Sequence, residues 1–463
     1  MKNNTLIITL VSLFIACSLS LLNSWGILSL PSELLIIIRW VAIAVLVFYG
    51  IQKKSLTTWI LVSMVIGAEL GNDFPAIAVN MKVFSQIFLR LIKTIIAPLL
   101  FSTLVVGIAS HSNLKQVGRM GIKALLYFEI VTTIALFIGL AAINISQAGV
   151  GIQLPKPVES EKIEVAAAKT TSEIILHIFP ENAIKAVYEG QVLQIVVFSV
   201  LFAIALAMLP EDKKKPILEF TESLAEVMFK FTNLIMYFAP IGVGAAIAFT
   251  VGHMGLGVLV NLFKLLATLY VALTIFILCV LLPIALMFKI PIKKFAKAIS
   301  EPVSIAFATT SSDAALPRAM EALEAFGVPR KIIAFVLPTG YTFNLDGTTL
   351  YLSLASVFVA QAAGIEMSFG QQLAMVFTLM LTSKGVAGVP RASLVILLGT
   401  AATFGLPTEP IFIILGIDEL MDMARTAVNV TGNCLATVVV AKWEGEYNEN
   451  KEGDEHIFDV KEN

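Results

Sequence analysis

The sequence predicts an all-α membrane protein of about ten transmembrane helices plus two re-entrant helical hairpins, arranged as inverted repeats. Three observations carry that expectation. Hydrophobic residues make up 57% of the chain and charged ones only 14%, with a mean hydropathy of +0.88, whereas soluble domains run near about 25% charged. Apolar runs long enough to cross a bilayer recur through the first two thirds of the chain. In the last third, the apolar runs are interrupted in mid-course by small, polar and proline residues.

Crossing a bilayer takes about 20 mostly apolar residues, and such runs stand at 5–24, 34–51, 56–73, 83–109, 120–145, 192–209, 222–250 and 256–288. The first follows Lys2 and invites reading as a secretory signal with a lipoprotein-like site at Ala16-Cys17. However, the run continues past Cys17, Phe14 suits a lipoprotein box poorly, and a second run follows, so 1–52 is read as an extra two-span segment. Cations gather at Lys53 and Lys54, at Lys115, Arg119 and Lys123, at Lys213 to Lys215, and at Lys289, Lys293, Lys294 and Lys297. By the positive-inside rule these loops are cytoplasmic. Both termini are therefore expected on the cytoplasmic side of the membrane, with the polar insertion 146–190 outside. The acidic stretch 443–463 is expected to be a disordered cytoplasmic tail.

From 302 to 323 the apolar pattern is broken by Thr309, Thr310, Ser311, Ser312 and Asp313, and from 369 to 404 it is broken over 382–391. Each arm is too short to cross alone. Irregular backbone at membrane depth survives only where protein or trapped water satisfies it, so both stretches are expected to be re-entrant hairpins whose tips meet inside the protein. The helix after the first hairpin is itself interrupted over 340–348, at Gly340-Tyr341-Thr342-Phe343-Asn344-Leu345-Asp346-Gly347-Thr348. Two hairpins, each followed by a helix and entering from opposite sides, make the inverted repeat that encloses a midplane site.

The last helix carries Asp418, Asp422, Arg425, Thr426, Asn429 and Asn433 in an otherwise apolar segment. At 3.6 residues per turn they share one face. A charge at membrane depth costs from about 2.5 kcal/mol upward, so this stripe needs either an internal function or tight mutual pairing. Two readings stay open: a structural Asp422–Arg425 ion pair, or a site where arginine grips a carboxylate with its two-pronged guanidinium. The convergence of two broken hairpins and a broken helix favours the site. Asn344 and Asp346 offer side-chain oxygens beside the freed carbonyls of Gly340 and Thr342, surroundings that suit a hard cation. A simple helix break held by Asx hydrogen bonds is the alternative. Pro98 reads as a kink, and Glu129 as a buried acid, either a proton carrier or a partner in a structural hydrogen bond.

Other classes fit poorly. The 32 basic and 33 acidic side chains nearly cancel, which gives no field for a nucleic-acid partner. Cys17, Cys279 and Cys434 form no CxxC pattern, and His111, His177, His253 and His456 are scattered. Neither a metal cluster nor a nucleophile with its base is present, so no enzyme and no cofactor is expected. An ion channel is the harder rival, because broken helices also build pores. One asymmetric stripe holding both Asp and Arg favours an occluded zwitterionic solute over a file of ions.

The marks Phe88-Leu89-Arg90-Leu91-Ile92-Lys93 with Ala97-Pro98-Leu99, Ser311-Ser312-Asp313-Ala314-Ala315-Leu316-Pro317, Asn344-Leu345-Asp346-Gly347-Thr348, Ala387-Gly388-Val389-Pro390, and Asp422-Met423-Ala424-Arg425-Thr426 with Asn429 resemble the dicarboxylate/amino acid:cation symporter family. That family includes glutamate transporters of bacteria, archaea and animal synapses, and the resemblance covers about 55–445. It implies a homotrimer of the elevator type. Within it, 53–290 would be mainly scaffold and trimerisation spans, with the 120–145 helix contributing to the transport domain, and 291–442 would form the moving transport core.

Carried onto this chain, the resemblance implies that Arg425 holds the substrate's side-chain carboxylate and Asp422 its amino group, assisted by Thr426 and Asn429. Ser311, Ser312 and the Gly388-Val389 backbone would hold the α-carboxylate, Thr348 would line the side-chain pocket, and the second hairpin would be the outer gate. The implied cation positions are Thr132, Gly340, Thr342, Asn344, Asp346, Ser383, Asn429 and Asn433, with Na+ at Asn344 and Asp346. Retention of both Asp422 and Arg425 implies an acidic amino acid, glutamate or aspartate, with C4-dicarboxylates the runner-up.

Departures bear on the coupling ion. Asn433 stands where sodium-coupled relatives carry Asp, Val131 where they carry a Thr beside Thr132, and Thr310 where some place an Arg. The Ser311-to-Arg318 pattern is similar to the proton-coupled bacterial branch. The expected coupling is to H+, with Na+ retained at Asp346. Leu352 occupies the position of an acid linked to proton carriage in synaptic relatives, which leaves Glu129 or Asp313 for that role. Arg391 follows Pro390 where relatives often have Gly.

Overall fold

The computed structural model describes residues 2–109, 116–152, 179–189, 192–383 and 392–448. The described residues are helical throughout their ordered elements, with no strand among them. Helices α1 (Lys2–Ser24) and α2 (Ser32–Lys53) pack on each other. The turn between them is fixed by Asn23, whose Oδ1 accepts the Leu30 amide at 2.8 Å. Then follow α3 (Leu56–Asp73), two short turns (Pro75–Ala78 and Val79–Met81) and α4 (Lys82–Ala109), which continues through Pro98. After α5 (Gln116–Ser146) come α6 (Ala183–Glu189), α7 (Val192–Ala207), α8 (Glu211–Met236) and α9 (Ala239–Met254).

The apolar run expected over 222–250 is broken at Tyr237 and Phe238, since Pro240 opens α9 and cannot continue the amide ladder of α8. The run at 256–288 starts as α10 (Val258–Phe276), passes a π-helical turn at Ile277–Leu281 and ends as α11 (Leu282–Met287). That turn directly precedes Pro283, whose missing N–H accounts for the irregular ladder. Among the described residues, five segments can cross a membrane by length and composition: Thr5–Asn23, Ser32–Lys53, Pro75–Val106, Met120–Ser146 and Val258–Met287. Helices α8 and α9 together make a sixth when counted as one broken span.

The last third consists of shorter helices. They are α12 (Ile292–Thr309), α13 (Ser312–Ala325), α14 (Arg330–Phe343), α15 (Asp346–Ala362), α16 (Phe369–Thr382), α17 (Ala392–Thr403), α18 (Glu409–Leu415) and α19 (Asp418–Glu444). The tail expected from 443 begins inside α19, and Tyr447 donates its hydroxyl to the Phe326 carbonyl at 3.0 Å. Residues 449–463 lie outside the described residues.

The described residues of Met1–Leu91, Asn233–Leu262 and Phe412–Glu419 form one compact unit, and those of Ile92–Thr232, Phe263–Ile411 and Leu420–Asn463 form a second. Within the first, α3 and α9 meet backbone to backbone. A Cβ on Gly67 would overlap the Gly244 carbonyl, and one on Gly71 would come within 2.7 Å of the Val251 Cβ. Such small-residue seams let helices approach closely enough for dispersion contacts to hold them where lipid offers no hydrophobic driving force. Within the second, α5 and α15 meet the same way, because a Cβ on Gly139 would overlap the Leu350 carbonyl. Apart from Gln361, every residue of α15 is buried. Gln361 bonds back to α5 and the turn beyond it, accepting the Gly149 amide at 3.2 Å and donating to the Ile143 carbonyl at 3.3 Å.

Candidate functional site

Two helix breaks bring polar backbone into the second unit. Between α12 and α13, Thr310 takes a left-handed conformation with φ 53°, a costly state for a β-branched residue. Ser311 then caps α13, its Oγ accepting the Ala314 amide at 3.3 Å. Ser312 is buried. Asp313 is exposed in the first turn of α13, where a carboxylate complements the helix dipole.

Between α14 and α15 the chain unwinds at Asn344 and Leu345. Asn344 and Asp346 are fully buried. The Asn344 amide donates to Asp346 Oδ2 at 3.2 Å and to Asn433 Oδ1 at 3.3 Å. Asn433 on α19 returns two bonds from Nδ2, to the Asn344 carbonyl at 3.0 Å and to the Asn429 carbonyl at 2.9 Å. Two glycines make the room. A Cβ on Gly340 would overlap Asn433 Oδ1 and reach Phe128 at 3.4 Å, while one on Gly432 would overlap Asp346 Oδ2.

Helix α15 has no side-chain cap of its own. Its first-turn amides are satisfied from α19, where Asn429 Oδ1 accepts the Gly347 N–H at 2.8 Å and the Thr348 N–H at 3.2 Å. Asn429 Nδ2 also donates to Thr348 Oγ1 at 2.9 Å. A neighbouring helix therefore does the work of an N-cap, which ties the break to the polar stripe.

One turn earlier on α19, Arg425 is 1% exposed and Asp422 6%. Arg425 Nε donates to Asp422 Oδ1 at 2.8 Å, and the same oxygen accepts from Thr426 Oγ1 at 3.2 Å. The guanidinium lies over the Tyr351 ring with its central carbon 4.2 Å from the ring centroid, a favourable cation–π placement in a dry site. Tyr351 was not singled out from the sequence, although it lies one turn beyond Thr348 on the same helix.

The structure thus joins Gly340, Asn344, Asp346, Thr348, Arg425, Asp422, Thr426, Asn429 and Asn433 into one hydrogen-bonded and packed region. Thr132 donates to the Phe128 carbonyl in its own helix at 2.6 Å. Thr342 is half-buried and Ser383 buried at the end of α16, its Oγ making no hydrogen bond among the described residues. Gly388, Val389 and Arg391, at the tip of the second hairpin, lie outside the described residues. Glu129, expected to be a buried acid, is instead exposed. It shares a face of α5 with Ile122, Leu125, Leu126 and Ile130, all exposed, whereas Phe128, Thr132 and Leu136 on another side of the helix are buried.

All-helical described residues with apolar spans, two helix breaks and a buried acid–arginine pair near the α14–α15 break have the construction of a membrane carrier for a small charged solute. The sequence agrees. Residues 56–443 match the sodium:dicarboxylate symporter family, and the chain belongs to that family. It is 44% identical over 411 residues to a proton/sodium-glutamate symport protein of Bacillus caldotenax, the match spanning 86% of this chain and 97% of that protein. It is 40% identical over 418 residues to a proton/glutamate-aspartate symporter of Escherichia coli, spanning 86% and 95%. A C4-dicarboxylate transport protein of Paraburkholderia phymatum is 42% identical over 406 residues, spanning 86% and 95%.

Proposed function

We propose that this chain is a secondary active symporter that imports glutamate or aspartate together with H+, Na+ or both. The observation that carries the reading is the buried Arg425–Asp422 pair, made through Nε and one carboxylate oxygen at 2.8 Å. An acidic amino acid brings both an ammonium and a side-chain carboxylate. Its ammonium replaces arginine at Asp422 and its side-chain carboxylate replaces aspartate at Arg425, so neither member of the buried pair loses its counter-charge. A C4-dicarboxylate supplies no ammonium and would strand Asp422. Tyr351 holds the guanidinium during the exchange by stacking on its face.

The remaining α-carboxylate falls to Ser311, Ser312 and the Gly388-Val389 backbone, and the substrate's chain to Thr348. The cation reading rests on Asn344 and Asp346 beside the unwound carbonyls, with Gly340, Thr342, Thr132, Ser383, Asn429 and Asn433 around them. Glu129 and Asp313 are the proposed proton carriers. In keeping with the resemblance, the transport core 291–442 would move elevator-fashion within a homotrimer in a bacterial inner membrane, with the second hairpin as outer gate.

The test is uptake of labelled glutamate, aspartate and succinate into proteoliposomes under separately imposed Na+ and pH gradients. Uptake of the two amino acids against their gradients, with succinate poorly carried, supports the reading. Preferred uptake of succinate would transfer it to the C4-dicarboxylate class, and failure of trans-aspartate to accelerate exchange would indicate a pore.

A further inference from the structure

The contact between α2 and α3 sets a charge cluster into an otherwise apolar helix pair. Arg39 lies seven residues into α2, about 10 Å along the helix at the usual rise. Its Nε pairs with Glu69 and its Nη2 with Asp73 Oδ1 at 2.6 Å. The two carboxylates are four residues apart and so share one face of α3. The indole N–H of Trp40 donates to the second oxygen of Asp73 at 3.0 Å, and the Trp40 ring lies 6.1 Å from that of Phe74. The Asp73 side chain is only 3% exposed. Further along α2, a Cβ added at Gly50 would meet Val62 and Trp59 of α3 at ordinary contact distance.

The cluster straddles a boundary in the sequence. The family match starts at residue 56, and relatives matched over 95% to 97% of their own length cover only 86% of this chain. Glu69 and Asp73 lie inside the shared region, whereas Arg39 and Trp40 lie before it. A largely buried carboxylate pair needs a counter-charge, and an arginine fork supplies two directed donors at once.

We propose that α3 presents an acidic docking face and that Arg39 locks the α1–α2 pair onto it as an in-chain partner. The pair is then a charge-latched extension of the unit that contains α3, and takes no part in substrate chemistry. Neutralising one side of the latch leaves the other side's charge uncompensated, which costs far more than neutralising both.

Four forms of the full chain in detergent test this: wild type, Arg39→Ala, Glu69→Gln/Asp73→Asn, and the triple variant combining all three changes. Each of the two one-sided variants is expected to melt on the order of 5 °C below wild type, and the triple variant to recover most of that loss. The KM for labelled glutamate in proteoliposomes is expected to be the same in the triple variant and in wild type. An Arg39→Ala protein that melts with wild type would overturn the proposal. So would a triple variant as unstable as Arg39→Ala, which would assign the role to packing of the arginine stem, and so would an altered KM in the triple variant.

Discussion

The side-chain amide of Asn433 donates to the backbone carbonyl of Asn344 at 3.0 Å, and the same nitrogen donates to the carbonyl of Asn429 at 2.9 Å. An amide can do this and a carboxylate cannot, since an ionised acid only accepts. The Asn344 carbonyl, which the unwound turn would otherwise offer to a cation, is here satisfied by an N–H group of the protein itself. This geometry gives the proposed proton coupling a physical basis in one residue.

Replacing the donor should therefore restore demand for a cation. Asn433→Asp is expected to make glutamate uptake depend on Na+, with roughly tenfold stimulation by millimolar Na+ at constant pH, a difference of about 1.4 kcal/mol. Uptake into proteoliposomes at fixed pH with choline as the replacement cation measures this, and Na+-independent uptake by the variant would contradict it.

Arg425→Cys removes the cation that Asp422 and the Tyr351 ring both face. Breaking a buried pair from one side costs about 3–5 kcal/mol, so loss of stability and loss of transport must be separated. Glutamate and aspartate uptake is expected to vanish in variant protein that still elutes as a single species on size exclusion. Robust uptake by that species would remove Arg425 from the site.

Asp422→Asn keeps the shape but removes the negative charge that faces an ammonium, leaving a single amide oxygen as acceptor. Aspartate uptake is expected to fall by about 100-fold, or about 2.7 kcal/mol, while competition by succinate strengthens relative to wild type. Competition assays with unlabelled succinate check the direction. Unchanged preference would mean that the amino group is held elsewhere.

The close seams give a prediction independent of substrate. Gly67→Ala forces a methyl group into the Gly244 carbonyl and is expected to destabilise the chain by about 1–3 kcal/mol. Gly370→Ala in α16 meets nothing within 4 Å and should match wild type or exceed it slightly. Thermal midpoints of the two variants measured side by side decide this.

The positions of both helix breaks were legible in the sequence because small and polar residues interrupt apolar runs there: Thr310-Ser311 at one and Asn344-Leu345 at the other. The shared face of Asp422, Arg425, Thr426 and Asn429 followed from helical spacing alone. What stayed hidden depends on contacts between distant segments. Helix α5 is apolar around most of its circumference, so its local pattern does not say which side is buried, and Glu129 lies on an exposed side where the sequence reads a buried acid. Arg39 and its two acids lie at least 30 residues apart, and no periodicity joins them. Asn429 reads as a site residue, yet its role as a cap for α15 needs the two helices side by side.

The glycines of α5 have a consequence for how the chain is put together. Helix α5 leaves the ribosome some two hundred residues before α15, so the later helix must find its berth on an element already in the bilayer. Sliding by one turn would bring Ala135 or Ile143 to the place of Gly139, against the Leu350 carbonyl, and no side chain fits there. A one-turn slip is therefore excluded on steric grounds alone, whatever polar bonds the shifted pair could make.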